Sequence, residues 1–126
     1  MELHKGHQVV MPYLIIPNAI NFYDFVQKVF DGQETFRFLN EDQSLMHGEV
    51  NIGGSTIMFG NSGDQYPPQP AGLYINVENA DETFKKALDN GAKVVMEISD
   101  KEYGRTGGVI DPFGNTWWIT ASRKNQ

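Results

Sequence analysis

A chain of 126 residues with 40% apolar and 12% aromatic side chains has the length of one domain and enough apolar surface to bury a core. Its formal charge of -6, with no cluster of Lys and Arg, excludes the concentrated positive field that nucleic acid or an anionic membrane requires, so neither is expected as a partner. The absence of cysteine excludes disulfides, thiol nucleophiles and thiolate metal sites; together with a polar N-terminus and no apolar run of about 18 residues, it points to a cytoplasmic protein.

Residues 9–17, VVMPYLIIP, are almost continuously apolar and predict a first strand buried on both faces, or on one face with a cavity at the other. Apolar side chains then recur at Ala19, Phe22, Tyr23, Val26, Val29 and Phe30, the one-face spacing of an amphipathic helix of about three turns. Asn18 is the expected N-cap and Gly32 the terminator. Three strand-like runs follow at 34–40, 45–52 and 55–60, separated by a polar turn and by Gly53-Gly54, which supplies the left-handed residues of a tight hairpin.

Residues 61–70, NSGDQYPPQP, are rich in breakers and read as a linker. Beyond them the order repeats. A strand at 71–78 leads to a helix at 79–91, capped by Asn79 and closed by Gly91, and AKVVMEI, GRTGGVI and NTWWITA supply three further strands. The chain therefore reads as one domain, 1–126, with module one at 9–60, a linker at 61–70 and module two at 71–122.

Few residues carry obvious chemistry. There is no GxGxxG, P-loop, HExxH or GxSxG motif. Strand alternation puts His47 and Glu49 on one face, within reach of each other, either as an acid/base pair or as a hydrogen-bonded pair at the sheet edge. His4 and His7 read as part of a solvated tail. Asp111-Pro112-Phe113-Gly114 predicts a turn whose amides Asp111 caps. The same alternation sends Trp117 and Trp118 to opposite faces, one into helix-sheet packing.

Two βαβββ modules carrying MPYLIIPNAINFYDFVQKVF, LMHGEVNIGGSTIMFG and GRTGGVIDPFGNTWWI resemble the vicinal oxygen chelate superfamily of glyoxalase I, bleomycin-resistance proteins and extradiol dioxygenases. The likeness covers 9–121 and is closest to the PhnB-like branch. It implies an α+β fold, two curled mixed sheets around a ligand-sized cleft, and a homodimer. In metal-using members the ligands come from the first and last strands of each module, and matching those strands puts Met11, Met58, Leu73 and Trp118 at the four positions. None is an ordinary oxygen or imidazole donor, so no metal and no cofactor is expected.

The same resemblance implies a cleft with apolar walls of Met11, Tyr13, Phe38, Met58, Leu73 and Trp118, with His47 and Arg105 as its polar groups. Arg105 precedes Gly107-Gly108, which leave the backbone accessible, so its guanidinium either meets a carboxylate or phosphate or forms an ion pair with Glu102 or Asp111. The expected function is metal-independent binding of a small apolar or aromatic organic molecule. The alternatives are a lyase, isomerase or dioxygenase holding a divalent metal through His47 and Glu49, and a module whose cleft is plugged by Trp118, Met11 and Met58.

Overall fold

In the computed structural model, which describes residues 1–123, each half of the chain folds on its own four-stranded mixed sheet with one α-helix. The first half runs β1 (Tyr13–Ile16), α1 (Phe22–Phe30), β2 (Gln33–Leu39), β3 (Leu45–Ile52) and β4 (Ser55–Asn61). The second runs β5 (Gly72–Asn76), α2 (Ala80–Asp89), β6 (Lys93–Lys101), β7 (Gly104–Ile110) and β8 (Thr116–Ser122). The strand orders are β1-β4-β3-β2 and β5-β8-β7-β6, with the first pair of each sheet parallel and the rest antiparallel. This is the expected α+β fold of two βαβββ modules, and the chain boundary between the two compact units falls between Pro70 and Ala71.

In the first unit, Leu14, Ile16, Val50, Ile57 and Phe59 are buried together with the apolar stripe of α1. Phe59 meets the rings of Phe22 and Tyr23, each at 4.9 Å. The Tyr23 hydroxyl donates to the Phe36 carbonyl, and burial, with the Glu34 charge behind it, pushes its pKa up to about 12. In the second unit, Phe84 of α2 lies over Gly107, and Trp117, Val109 and Ile119 are buried. Asn79 caps α2 as expected, its side chain accepting from the Glu82 amide at 3.0 Å.

Three local expectations need correction. The first strand begins at Tyr13 rather than Val9, and Val9 and Val10 are 72% and 83% exposed. Pro12 has no amide to give to a ladder, so the paired segment starts after it. Asn18 is left-handed, with φ 52, and makes no side-chain cap. The cap comes from outside the turn, Asn61 Oδ1 accepting from the Ala19 amide at 3.0 Å, and a 3-10 turn at Ala19–Asn21 leads into α1. The helix ends on Asp31, at φ 57, one residue before Gly32.

Residues 61–70 are also less free than a linker. Asn61 completes β4, the Ser62 amide donates to Ile16, and Gln69 and Ile15 exchange both backbone hydrogen bonds, at 2.8 and 3.3 Å. The segment thus returns along the outer edge of β1 and satisfies amide groups that an edge strand would leave open. Among the described residues, no helix is long and apolar enough to cross a membrane.

Candidate functional site

In the first unit, strand register defines which side chains share a face. Tyr13 pairs with Met58, Met58 with Glu49, and Glu49 with Phe36, so these four form one row across the sheet. His47 stands two residues from Glu49 and is paired with Phe38, which adds both to the same face. The neighbouring row of Leu14, Phe59, Gly48 and Arg37 points the other way, toward α1, where Arg37 lies 4.7 Å from the Tyr23 ring centre. The face opposite α1 therefore carries three rings that remain about half exposed, Tyr13 at 48%, Phe36 at 46% and Phe38 at 53%.

Glu49 lies among these rings and is itself only 9% exposed. Its Oε2 is 2.8 Å from His47 Nε2, as the alternation predicts, although β3 is an interior strand and not the sheet edge. Its Oε1 is 2.7 Å from His7 Nε2. A solvated tail is thus the wrong reading of His7: residues 6–8 cross the open face of the sheet. Thr56 Oγ1 donates to the Gly6 carbonyl at 2.5 Å, and Gln8 Nε2 donates to the Thr56 carbonyl at 2.9 Å. The sequence offered one signal for this, the single charged acceptor among apolar neighbours in LMHGEVNI, which needs donors from somewhere once buried.

The protons on this network follow from its acceptors. A carboxylate only accepts, so His7 and His47 each donate through Nε2–H; His47 Nδ1 is then free to accept from the Tyr13 hydroxyl, at 3.1 Å. Burial pushes the Glu49 carboxyl upward, but the hydrogen bonds from His47 and His7 outweigh it and hold the group below its ordinary value. Burial first, then the charges of Glu49 and Tyr66, pushes the Tyr13 hydroxyl up, which keeps its proton in place. The Tyr13 ring stacks on His47 at 5.5 Å and Phe36 approaches the same imidazole at 5.6 Å. The arrangement can fix a hydrogen-bonding partner on this face.

The second unit has a corresponding row, Tyr74, Trp118, Gly108 and Met96. Leu73 instead pairs with Trp117, on the face packed against α2, so the register puts Leu73 and Trp118 on opposite faces and Tyr74 stands beside Trp118. In the first unit the residue beside Met58 is Tyr13, while Met11 lies before the strand. The structure thus brings Tyr13, Phe38, His47 and Met58 together on one face, and sets Met11 and Leu73 outside the rows expected for them.

Two more expectations change in this unit. Gly107 and Gly108 do not leave an accessible backbone: the Phe84 ring covers the first, and the Trp118 ring the second. Arg105 forms a partly exposed ion pair, as one of the alternatives had it, but with Asp81 at 2.7 Å and Asp100 at 3.2 Å rather than with Asp111, contacts that raise its pKa. Asp111 does cap its turn, Oδ1 accepting from the amides of Phe113 and Asn115, each at 2.9 Å. Its Oδ2 accepts from Asn115 Nδ2 at 3.0 Å and from Trp117 Nε1 at 2.8 Å, so all of its acceptor capacity is structural.

A metal centre at the family-like positions does not fit these side chains. The two rows offer Tyr13 with Met58 and Tyr74 with Trp118, and the Tyr13 phenol is hydrogen-bonded and hard to ionise. Among the described residues, no group of three or more His, Asp or Glu is disposed to hold an ion.

Comparison with known proteins agrees with this fold. The family model described as the Glyoxalase/Bleomycin resistance protein/Dioxygenase superfamily matches residues 8–119. The uncharacterized protein Rv0887c of Mycobacterium tuberculosis is 33% identical over 118 residues, covering 84% of this chain and 69% of its own. Among solved structures, the PhnB protein from Bacillus cereus superposes with a TM-score of 0.72 at 15% identity, covering 91% of this chain and 100% of its own. TnmS3, an antibiotic binding protein from Streptomyces sp. CB03234, superposes with a TM-score of 0.67 at 15% identity, covering 93% of this chain and 100% of its own.

Proposed function

The chain belongs to the Glyoxalase/Bleomycin resistance protein/Dioxygenase superfamily, and from that premise we propose that it binds a small aromatic or apolar organic molecule, without a metal ion, on the open face of its first sheet. The observation that carries this reading is the set of half-exposed rings, Tyr13, Phe36 and Phe38, standing around a buried and fully hydrogen-bonded polar centre. Rings left in water across a sheet face gain by contact with a flat apolar body, and polar groups among them fix its orientation. Met58, in the same row, adds a flexible and polarizable contact.

The antibiotic-binding role of TnmS3, which shares the fold, supports binding over catalysis as the first expectation, and the residue types at the metal positions support metal independence. The reading includes pairing of two chains, which light scattering at micromolar concentration tests. Titration with 2-naphthol, an uncharged aromatic probe, tests the site. Saturable binding that weakens severalfold in Phe36→Ala and Phe38→Ala is the expected result; no binding, or equal binding in both variants, refutes it.

A second reading has one observation in its favour, the hydrogen-bonded series of Tyr13, His47 and Glu49, which suits acid/base chemistry. It requires a lyase, isomerase or dioxygenase with an ion held away from the family-like positions, using His47 and Glu49.

A further inference from the structure

The two oxygens of Glu49 are occupied by groups of unequal permanence. His47 is fixed on an interior strand two residues away, and its second nitrogen is tied to Tyr13. His7 rides on a segment outside both sheets. Apart from His7 itself, the hydrogen bonds that residues 6–8 make to the sheet among the described residues are two, both at Thr56, and the following Val9 and Val10 stand largely in water. A short segment outside the sheets, held by a few polar contacts, opens at low free-energy cost. The Oε1 position is therefore the exchangeable one.

When His7 leaves, a carboxylate oxygen that is shielded only while His7 sits on it loses its charge-oriented donor. Such a group is costly to leave unpaired, and a charge-assisted donor is the replacement that restores most. Among the described residues no lysine or arginine is paired with Glu49: its partners are the two imidazoles, while Arg37 lies on the α1 side against Glu34. The rings beside the position favour the same kind of guest. Phe36 is the register partner of Glu49, Tyr13 stands at the other end of the row, and a cation is attracted to aromatic faces in a way that a neutral group is not. An anion would meet Glu49 with no cation to offset it.

We infer that Glu49 is the recognition group for a positively charged nitrogen on the ligand, that the ligand is an aromatic or apolar molecule bearing an amine or amidine, and that His7 occupies this position until the ligand displaces it. The inference rests on the proposed binding role of the open face and names the chemistry that face selects. The nitrogen donates to Glu49 Oε1 while the attached ring lies against Phe36 and Tyr13. His47 stays in place and keeps the carboxylate oriented.

Isothermal titration of the full chain with benzamidine, benzamide and 2-naphthol tests this. Benzamidine and benzamide share one ring and differ in charge, so the first is expected to bind at least about tenfold more tightly, the effect of one charge-assisted hydrogen bond. Glu49→Gln is expected to abolish that preference. His7→Ala, which removes the competitor without touching the carboxylate, is expected to tighten benzamidine severalfold. A preference that survives Glu49→Gln overturns the inference, since it then reflects only the chain's net negative charge. Weaker benzamidine binding in His7→Ala overturns the displacement, making His7 part of the ligand's seat. Equal binding of benzamidine and benzamide with 2-naphthol still bound overturns the cation position and leaves the binding role standing. Failure of all three probes overturns both.

Discussion

Glu49 holds His7 on one oxygen at 2.7 Å and His47 on the other at 2.8 Å, so a single carboxylate ties a residue 42 positions upstream to the sheet face. Its folded pKa is depressed, because these two hydrogen bonds outweigh the opposing effect of burial. A depressed carboxyl contributes stability that is present above the unfolded value, 4.5, and is lost as pH falls through the lower folded value. Glu49→Gln is expected to lower stability at neutral pH by about 1–3 kcal/mol. The gap to the wild type should narrow as urea midpoints are followed from pH 7 down through the carboxylate range. A gap that stays constant with pH would show that the charge on Glu49 contributes nothing.

Asp111 is 4% exposed and accepts four hydrogen bonds, from Phe113 N, Asn115 N, Asn115 Nδ2 and Trp117 Nε1. Asp111→Ala strands several buried donors at once, and roughly 3–5 kcal/mol of destabilisation is expected. Urea unfolding followed by tryptophan fluorescence measures it. The folded fraction should still bind 2-naphthol with unchanged affinity; lost affinity in protein that remains folded would give Asp111 a role at the ligand.

Gly108 is needed for contact and not for its backbone angle. A Cβ there would lie 2.5 Å from Trp118 Cζ3 and 2.7 Å from Cε3, so the ring would have to move. Gly108→Ala is expected to cost about 1–3 kcal/mol, in line with overpacking elsewhere. In a Trp118→Ala background the same change should cost little, because the obstructing ring is gone. Additive costs would mean that the ring is not what the methyl group meets.

The parts of this protein that the sequence revealed are those written in local pattern. Alternation in LMHGEVNI was enough to face His47 and Glu49 together, and the turn chemistry of DPFG was enough to assign Asp111 its amides. The face of β5 was not legible, since Leu73, Tyr74 and Ile75 are all large and apolar and show no alternation to read. Met11 was misplaced because the apolar run starts before Pro12 while the ladder starts after it. His7 with Glu49 and Arg105 with Asp81 are joined across 42 and 24 residues, and no short-range rule reports such pairs.

The metal question has a direct answer in elemental analysis of protein expressed in metal-rich medium. Neither Tyr13 with Met58 in the first unit nor Tyr74 with Trp118 in the second supplies ordinary donors for such an ion, so substoichiometric zinc, nickel, manganese and iron are expected. One equivalent per chain, lost in His47→Ala or Glu49→Gln, would favour the enzyme reading instead.

The binding face itself is tested most directly by mapping 2-naphthol onto the protein through aromatic and imidazole NMR signals. The rings of Tyr13, Phe36 and Phe38 stand about half exposed around His47 and Glu49, so their signals and that of His47 are expected to shift together and saturate with one affinity. Saturating shifts confined to residues outside this face would contradict the account.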